Sequence, residues 1–309
     1  MAKFVPDVTT NRWVVIAEGR LKRPHEPAEA KAPAGGAAGG GSKVCVFCPG
    51  NENPPAGGPG EEVFRIGTGQ AYGPGWEVRV IKNKYPITDF HEVIIHSPSD
   101  TDDIDRLPLD QVVKIIQTYR QRYNFHSQNG HVMIFNNVGE NAGASISHPH
   151  SQLVVVPRQI NIDSLALEPT INVVEDNRKF VVFCPEFSQW PFEAWIAPKA
   201  GGEMFGQITD EAIEDLAEVL QNILRRLLTH LSKEREGQCH FHPGVPQVAF
   251  EKGPAYNFYI HHGENWYLRI IPRTIHRAGF ELGTGLSVNI VDPTEAAEVL
   301  REERIDELA

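Results

Sequence analysis

The chain has 309 residues, of which 41% are hydrophobic and 22% charged. At roughly 100 to 200 residues per domain that length holds two domains or one duplicated domain, and so ordinary a composition excludes a disordered, collagen-like or coiled-coil chain. The net charge of −11 would repel the phosphates of a long nucleic acid, so no nucleic-acid partner is expected, although a locally basic pocket for a small phosphorylated molecule stays open. Thirteen histidines against four cysteines direct attention to imidazole chemistry before disulfides. No apolar run approaches the roughly 18 to 20 residues that cross a bilayer, and the first residues lack the apolar core of a signal peptide. The expected location is the cytoplasm, with no membrane partner.

In chain order, a strand at 13–17 leads to a basic turn with Arg20, Lys22 and Arg23, then to a Gly/Ala-rich stretch at 34–42 that reads as a flexible loop. Cys45-Val-Phe-Cys48 is a CxxC knuckle, whereas Cys184 and Cys239 stand alone. That pattern suggests a metal or redox site rather than a disulfide framework, and with no second CxxC a metal would need distant ligands. A Gly/Pro patch at 54–60 precedes a strand at 76–83.

The middle and the C-terminal half then repeat one order of elements. In the first copy a strand at 91–98 stops at proline, a helix at 109–123 places Val112, Val113, Ile116 and Tyr119 on one face, and strands follow at 131–137 and up to Pro157. In the second copy a strand at 192–198 is again stopped by proline. Thr209 caps a long helix with Leu216, Val219, Leu220, Ile223, Leu227 and Leu231 at helical spacing. Strands follow at 245–251, 257–261 and 266–272, and a final short helix opens with Asp292-Pro-Thr-Glu295. The repeat predicts an α+β fold in two duplicated halves, 1–170 and 171–309, around antiparallel sheet flanked by helices.

The segment 136–152, NNVGENAGASISHPHSQ, carries the chemistry. Two histidines one residue apart on an extended segment face the same side of a sheet. The loop before them offers Asn137, Gly139, Gly143 and Ser145, small residues whose backbone N–H groups and side-chain donors can approach an anion. A neutral imidazole beside an anion cradle suits phosphoryl transfer, since it can attack phosphorus and later leave near neutral pH. The alternative is that His148 and His150 are packing or surface histidines.

His148-Pro-His150-Ser-Gln152, together with Cys45-x-x-Cys48-Pro-Gly-Asn-Glu52 and the Asn11-Arg-Trp-Val-Val-Ile run, resembles the galactose-1-phosphate uridylyltransferase family of the histidine-triad superfamily, over essentially the whole chain. The resemblance implies duplicated histidine-triad-like halves and ping-pong transfer of a nucleoside monophosphate through a nucleotidyl-histidine. His150 would be the nucleophile and Gln152 the residue that holds the phosphoryl group. Asn137 and Ser145 would contact phosphate oxygens, Gly139 would let the backbone approach, and Arg20, Arg23, Asn83 and Lys84 would lie near the nucleotide. Read without the resemblance, the arginines form a solvated turn and Lys84 a surface charge.

The resemblance also implies one structural zinc, held by Cys45, Cys48 and His148, a donor set apt for tetrahedral zinc. Where relatives usually show a fourth ligand, a histidine, this chain has Asp100, with His96 as the nearby substitute. No second metal is expected, because Asn265-Trp-Tyr267 stands where many relatives have His-x-His and only His261 remains. Glu281 and Phe280 match the segment that reaches the hexose, but Ile275 and Ser287 replace the lysine and glutamine of the best-known uridylyltransferases, and the 279–285 string looks more like the ADP-glucose phosphorylase branch. The first reading is a UDP-glucose–hexose-1-phosphate uridylyltransferase. The alternatives are an ADP-sugar phosphorylase or adenylyltransferase, or a non-catalytic nucleotide-sugar-binding protein. Implied partners are a nucleotide sugar, a sugar 1-phosphate and a second copy of the chain that completes the sugar end of each site.

Overall fold

The computed structural model describes residues 2–7, 12–22, 45–52, 60–160, 162, 170–235 and 253–304. Arg23, Cys239 and the strand expected at 245–251 lie outside them. In chain order the strands are β1 (Lys3–Asp7), β2 (Arg12–Ile16), β3 (Glu62–Gly67), β4 (Trp76–Lys82) and β5 (His91–Ile95), then helix α1 (Leu109–His126), β6 (His131–Val138) and β7 (His150–Val156). The second half holds β8 (Val173–Asp176), β9 (Phe180–Phe183), β10 (Ala194–Pro198), helix α2 (Asp210–Arg235), β11 (Tyr256–Ile260), β12 (Leu268–Pro272), and helices α3 (Gly279–Thr284) and α4 (Pro293–Glu302).

Strands β1 and β2 pair with each other, and the other ten form one antiparallel sheet in the order β3-β4-β5-β7-β6-β11-β12-β10-β9-β8. Read inward from either edge, the connectivity is the same: three consecutive strands, a helix, then two strands that return in reversed spatial order. The duplication expected from the sequence is thus an α+β repeat joined at the β6–β11 pair, where Asn137 lies opposite Asn257. Both halves share a single sheet.

One face of that sheet is covered by α1 and α2. Helix α2 places Ile213, Leu216, Leu220, Ile223, Leu227 and Leu231 on one stripe, and these pack with Val112, Ile116 and Tyr119 of α1 and with Leu153, Val155, Phe258 and Ile270 of the sheet. Truncating a side chain such as Leu220, which is fully buried, would cost about 2–5 kcal/mol through lost burial and the cavity left behind. Because strand side chains alternate faces, the residues between these core positions, His150 and Gln152 among them, project to the opposite face. No helix among the described residues is long and apolar enough to cross a membrane.

Helix ends follow local chemistry. Thr209 Oγ1 accepts the Ala212 N–H at 3.2 Å, and Asp292 accepts the Thr294 N–H at 2.8 Å ahead of Pro293. Helix α1 runs past the expected 123 to His126, since Arg122 and His126 both reach Glu92 on β5 and tertiary ion pairing carries the helix another turn. Strand β10 begins at Ala194 rather than 192, because Phe192 takes φ 58°, outside the extended region. Strands β1, β3, β8 and β9 and helix α3 are additions to the expected elements; β8 and β9 are only four residues each, too short for a clear alternation.

Candidate active site

The centre of the site is the start of β7. His150 is buried, and its Nδ1–H donates to the His148 carbonyl at 2.8 Å. A neutral imidazole has one N–H, so this bond puts the lone pair on Nε2. Burial pushes the His150 pKa down to about 4, against the upward pull of the His148 carbonyl. The ring is therefore neutral near pH 7, the state a nucleophile needs.

A cavity of about 350 Å³ opens beside it, lined by His148, His150, Asn137, Gly139, Ser145 and Asp103. The loop that forms it turns at Gly139, with φ +81°; a Cβ there would lie 2.8 Å from the Ala255 Cβ, so both the turn and the close approach require glycine. The second half fixes the loop from below. Asn257 on β11 donates to Asn137 Oδ1 at 2.7 Å and to the Ala142 carbonyl at 2.9 Å, and Arg273 donates to Asn257 Oδ1 at 3.1 Å. Sequence reasoning missed Asn257 and Arg273; their nearest signal is that a strand residue at the pseudo-symmetric position is a polar amide.

The CxxC knuckle sits against the two histidines. His148 is fully buried, its Nε2–H donates to the Ser97 carbonyl at 2.9 Å, and its Nδ1 faces the Cys45 and Cys48 sulfurs at 3.4 and 3.6 Å. A backbone carbonyl that fixes the outer N–H and leaves the inner lone pair aimed at two thiols is the arrangement of a metal-binding histidine. The three ligand atoms lie within 4.8 Å of one another, so this group could hold a metal ion. Burial raises the Cys45 thiol, but hydrogen bonds with His148 and Cys48 outweigh it and hold the thiol below its ordinary value. Burial together with Cys45 and Asp100 pushes Cys48 up to about 12. A second negative charge is thus resisted until a cation shares the cluster, and S, S and N donors fit that cation as a soft divalent metal. The Asp100 Oδ2 atom stands 3.7 Å from the Cys48 sulfur, near the trio but exposed.

His96 is not a substitute ligand. It is fully buried on the other side of the strand, with Nδ1 2.8 Å from Asp103 Oδ1 and Nε2 2.8 Å from Ser151 Oγ, and Tyr119 OH 2.5 Å from the same Ser151. Burial alone would raise the Asp103 carboxyl, but His96 and the Ile104 N–H hold it below its usual range. Phe47, between the two cysteines, is buried with its ring edge-on to His150 at 5.3 Å and to His148 at 6.0 Å. The knuckle therefore packs on both histidines. Beyond it, Glu52 accepts from Trp76 Nε1 at 2.8 Å and from the Gly50 N–H at 2.7 Å, which fastens the knuckle to β4.

Arg20, Asn83 and Gln152 are joined by a chain of contacts at the other end of the site. Arg20 donates to the Tyr85 carbonyl at 3.0 Å, the Tyr85 N–H to Asn83 Oδ1 at 2.8 Å, and Asn83 Nδ2 and Gln152 Oε1 each lie 3.0 Å from His91 Nε2. Lys84 projects its ammonium over the Tyr85 ring, 6.0 Å from the centroid. Glu281 caps the first turn of α3 by accepting the Ala278 N–H at 3.0 Å, and among the described residues no hydrogen bond links it to the His150 pocket. Of the second-half histidines, His261 lies with its two ring nitrogens against the His262 and Ile162 carbonyls.

Comparison with known proteins agrees with this geometry. Residues 90–156 match the model of the galactose-1-phosphate uridyl transferase N-terminal domain. The chain is 28% identical to ADP-glucose phosphorylase of Arabidopsis thaliana, over 96% of this chain and 91% of that protein, and 24% identical to galactose-1-phosphate uridylyltransferase of Thermotoga maritima, over 96% and 97%. The crystal structure of the Arabidopsis thaliana ADP-glucose phosphorylase with bound ADP-glucose superimposes with a TM-score of 0.68 at 25% identity, covering 98% of this chain and 99% of that one. With the paired histidines, the cysteine knuckle and the duplicated sheet, these matches make the chain similar to the galactose-1-phosphate uridylyltransferases and to ADP-glucose phosphorylase.

Proposed function

We propose that the protein transfers a nucleoside monophosphate from a nucleotide sugar by way of a covalent nucleotidyl-His150. The observation that carries this reading is the buried, neutral His150 with its Nδ1 proton committed to the His148 carbonyl and its Nε2 lone pair beside the cavity. In the first step Nε2 attacks the α-phosphorus. An N–P bond forms, the P–O bond to the β-phosphate breaks, and a sugar 1-phosphate leaves. In the second step an oxygen of an acceptor phosphate attacks the same phosphorus, the N–P bond breaks, and neutral His150 is restored. Backbone N–H groups of the 139–145 loop, Asn137 and Ser145 stabilise charge on the transferring group, and the Gln152 amide holds it. Arg20, Asn83 and Lys84 serve the nucleotide end. Arg23 and Glu281 are assigned to the nucleotide and the hexose on family likeness alone.

A hexose 1-phosphate as acceptor and a uridine nucleotide make the reaction a uridylyl transfer. An adenine nucleotide and inorganic phosphate make it phosphorolysis of an ADP-sugar. The higher identity to the plant ADP-glucose phosphorylase, 28% against 24% at equal coverage of this chain, supports the second version. A zinc ion would be held by Cys45, Cys48 and His148, with Asp100 as the fourth ligand, and would supply rigidity to the strand that bears His150. Free thiols at Cys45, Cys48 and Cys184 support a reducing, cytoplasmic setting. Exposed apolar side chains on β2 (Trp13, Val14) and around α3 (Phe280, Leu282, Leu286) support a homodimer.

The test is intact-protein mass spectrometry after mixing with UDP-glucose or ADP-glucose. The reading expects an acid-labile nucleotidyl adduct on His150 from one of the two, and its mass names the base. Protein that binds nucleotide sugar and never acquires the adduct would be the non-catalytic alternative.

A further inference from the structure

His91 has no part in the chemistry described so far, yet it is buried at the site, 4% exposed, at the first residue of β5. Its neighbour Glu92 turns to the opposite face and binds Arg122 and His126 of α1, so alternation along the strand brings the His91 ring to the face that carries His150 and Gln152. The strand register sets Val93 opposite Gln152 and His91 opposite Val154, which makes His91 the diagonal neighbour of Gln152.

The proton on that ring can be located. The Ile87 backbone N–H lies 2.9 Å from His91 Nδ1, and a backbone N–H can only donate, so Nδ1 is the acceptor. A neutral ring then carries its proton on Nε2, 3.0 Å from Gln152 Oε1. The Asn83 amide nitrogen also stands 3.0 Å from Nε2, but Asn83 Oδ1 already accepts the Tyr85 N–H, so the amide cannot turn over to take the proton. An amide NH2 only donates, so with the proton on Nε2 this approach is not a hydrogen bond and takes no share of that proton. The Nε2–H of His91 therefore goes to the Gln152 carbonyl. Among the described residues none accepts a hydrogen bond from the Gln152 NH2 group. One end of this amide is fixed and the other is left to a ligand.

We propose that His91 is a positioning residue: by fixing the Gln152 carbonyl it determines both which end of that amide faces the transferred phosphoryl group and where it stands. The inference rests on the reading of Gln152 as the phosphoryl-holding residue. An amide bound at neither end can present its oxygen instead, and an oxygen facing a phosphoryl oxygen is repulsive. Loss of the His91 bond should therefore slow transfer more than it weakens binding of the nucleotide sugar, whose base and sugar are held elsewhere.

The experiment is single-turnover formation of the nucleotidyl adduct, followed by intact mass with UDP-glucose and ADP-glucose, for the wild type, His91→Leu, His91→Gln, Gln152→Ala and the His91→Leu/Gln152→Ala double variant. His91→Leu should slow adduct formation about 10- to 100-fold, the scale for a misplaced catalytic group, while KM for the nucleotide sugar changes less than about threefold. His91→Gln, whose amide nitrogen reaches about as far as the imidazole Nε2, should recover much of the rate. In the Gln152→Ala background His91→Leu should add no further loss, the mark of two residues acting as one unit. Losses that multiply in the double variant, or a His91→Leu defect confined to KM, would overturn the role of His91 and leave the adduct chemistry standing. A wild type that forms no adduct overturns the functional reading itself, and with it this one.

Discussion

His150, the first residue of β7, and His148, in the bend just before it, are joined by one hydrogen bond: the His150 imidazole Nδ1–H donates to the His148 main-chain carbonyl at 2.8 Å. The residue whose side chain faces the cysteines thus uses its backbone to orient the His150 ring. Replacing His150 with Ala should leave the thermal melt nearly unchanged, because the ring borders a cavity and not the main core. Nucleotidyl transfer should fall by at least about 10³-fold, as for loss of a covalent nucleophile. Quench-flow with labelled nucleotide sugar checks it, and turnover within tenfold of wild type would refute the assignment.

The cysteine cluster predicts about one zinc per chain by elemental analysis. Its removal with a strong chelator, or by Cys48→Ser, should lower the melting temperature by more than about 5 °C, since metal bound only by the folded state stabilises it. Asp100→Ala should weaken zinc retention with a smaller drop. If Asp100→Ala retained zinc as the wild type does in a chelator competition, the fourth ligand would have to be sought elsewhere.

Acid stability should depend on Glu92. This carboxylate is buried; burial alone would raise its pKa, but hydrogen bonds from His126 and Arg122 bring it below the ordinary value. A depressed carboxylate contributes stability that is present above its unfolded pKa, near 4.3, and is lost as pH falls through the lower folded value. Glu92→Gln should destabilise by about 3–5 kcal/mol at pH 7, leaving Arg122 buried and unpaired. The gap from wild type should shrink as pH falls from about 5 to about 3. Urea unfolding across that range measures it, and a pH-independent gap would count against the ion pair.

Asn257 should matter to a pocket whose first-half residues it only supports. With Asn257→Ala, Asn137 Oδ1 and the Ala142 carbonyl lose their donor and Arg273 its acceptor. The expected cost is about 1–3 kcal/mol of stability, as for buried groups left unsatisfied. Adduct formation should slow by about tenfold through the loosened loop. An unchanged rate would show that the loop holds its shape without the second half.

The exposed apolar residues of α3 and the segment after it, Leu282 at 75% and Leu286 at 61% exposure, predict self-association. Sedimentation equilibrium should give a dimer for the wild type, and Leu282→Asp combined with Leu286→Asp should shift it toward monomer. A wild-type monomer at micromolar concentration would remove the reason for invoking a second copy.

The fold was legible wherever a pattern was long and local. The α2 stripe from Leu216 to Leu231, the Thr209 and Asp292 caps and the strands around His131 and Asn257 follow from side-chain period and end chemistry. Phe192 was not legible in this way, since a left-handed φ at a bulky residue is imposed by its surroundings. Nor was the extension of α1 to His126, which depends on a carboxylate more than thirty residues earlier in the chain.

For the site, the sequence by itself determined the chemistry-bearing types: a His-Pro-His pair, a CxxC apt for a metal, and a small-residue loop beside them; the expected extended segment begins only at His150, with His148 in the bend before it. The residue types are local facts, set by residue spacing and donor type. Only the tertiary structure decided which atoms face each other. It turned His96 away from the thiols to Asp103 and Ser151, brought Asn257 and Arg273 under the loop, and set His91 against the Gln152 carbonyl. The reason is physical: a side chain's partner depends on strand register and sheet order, which bring residues 61 and 120 positions apart within hydrogen-bonding distance, and no local pattern encodes that pairing.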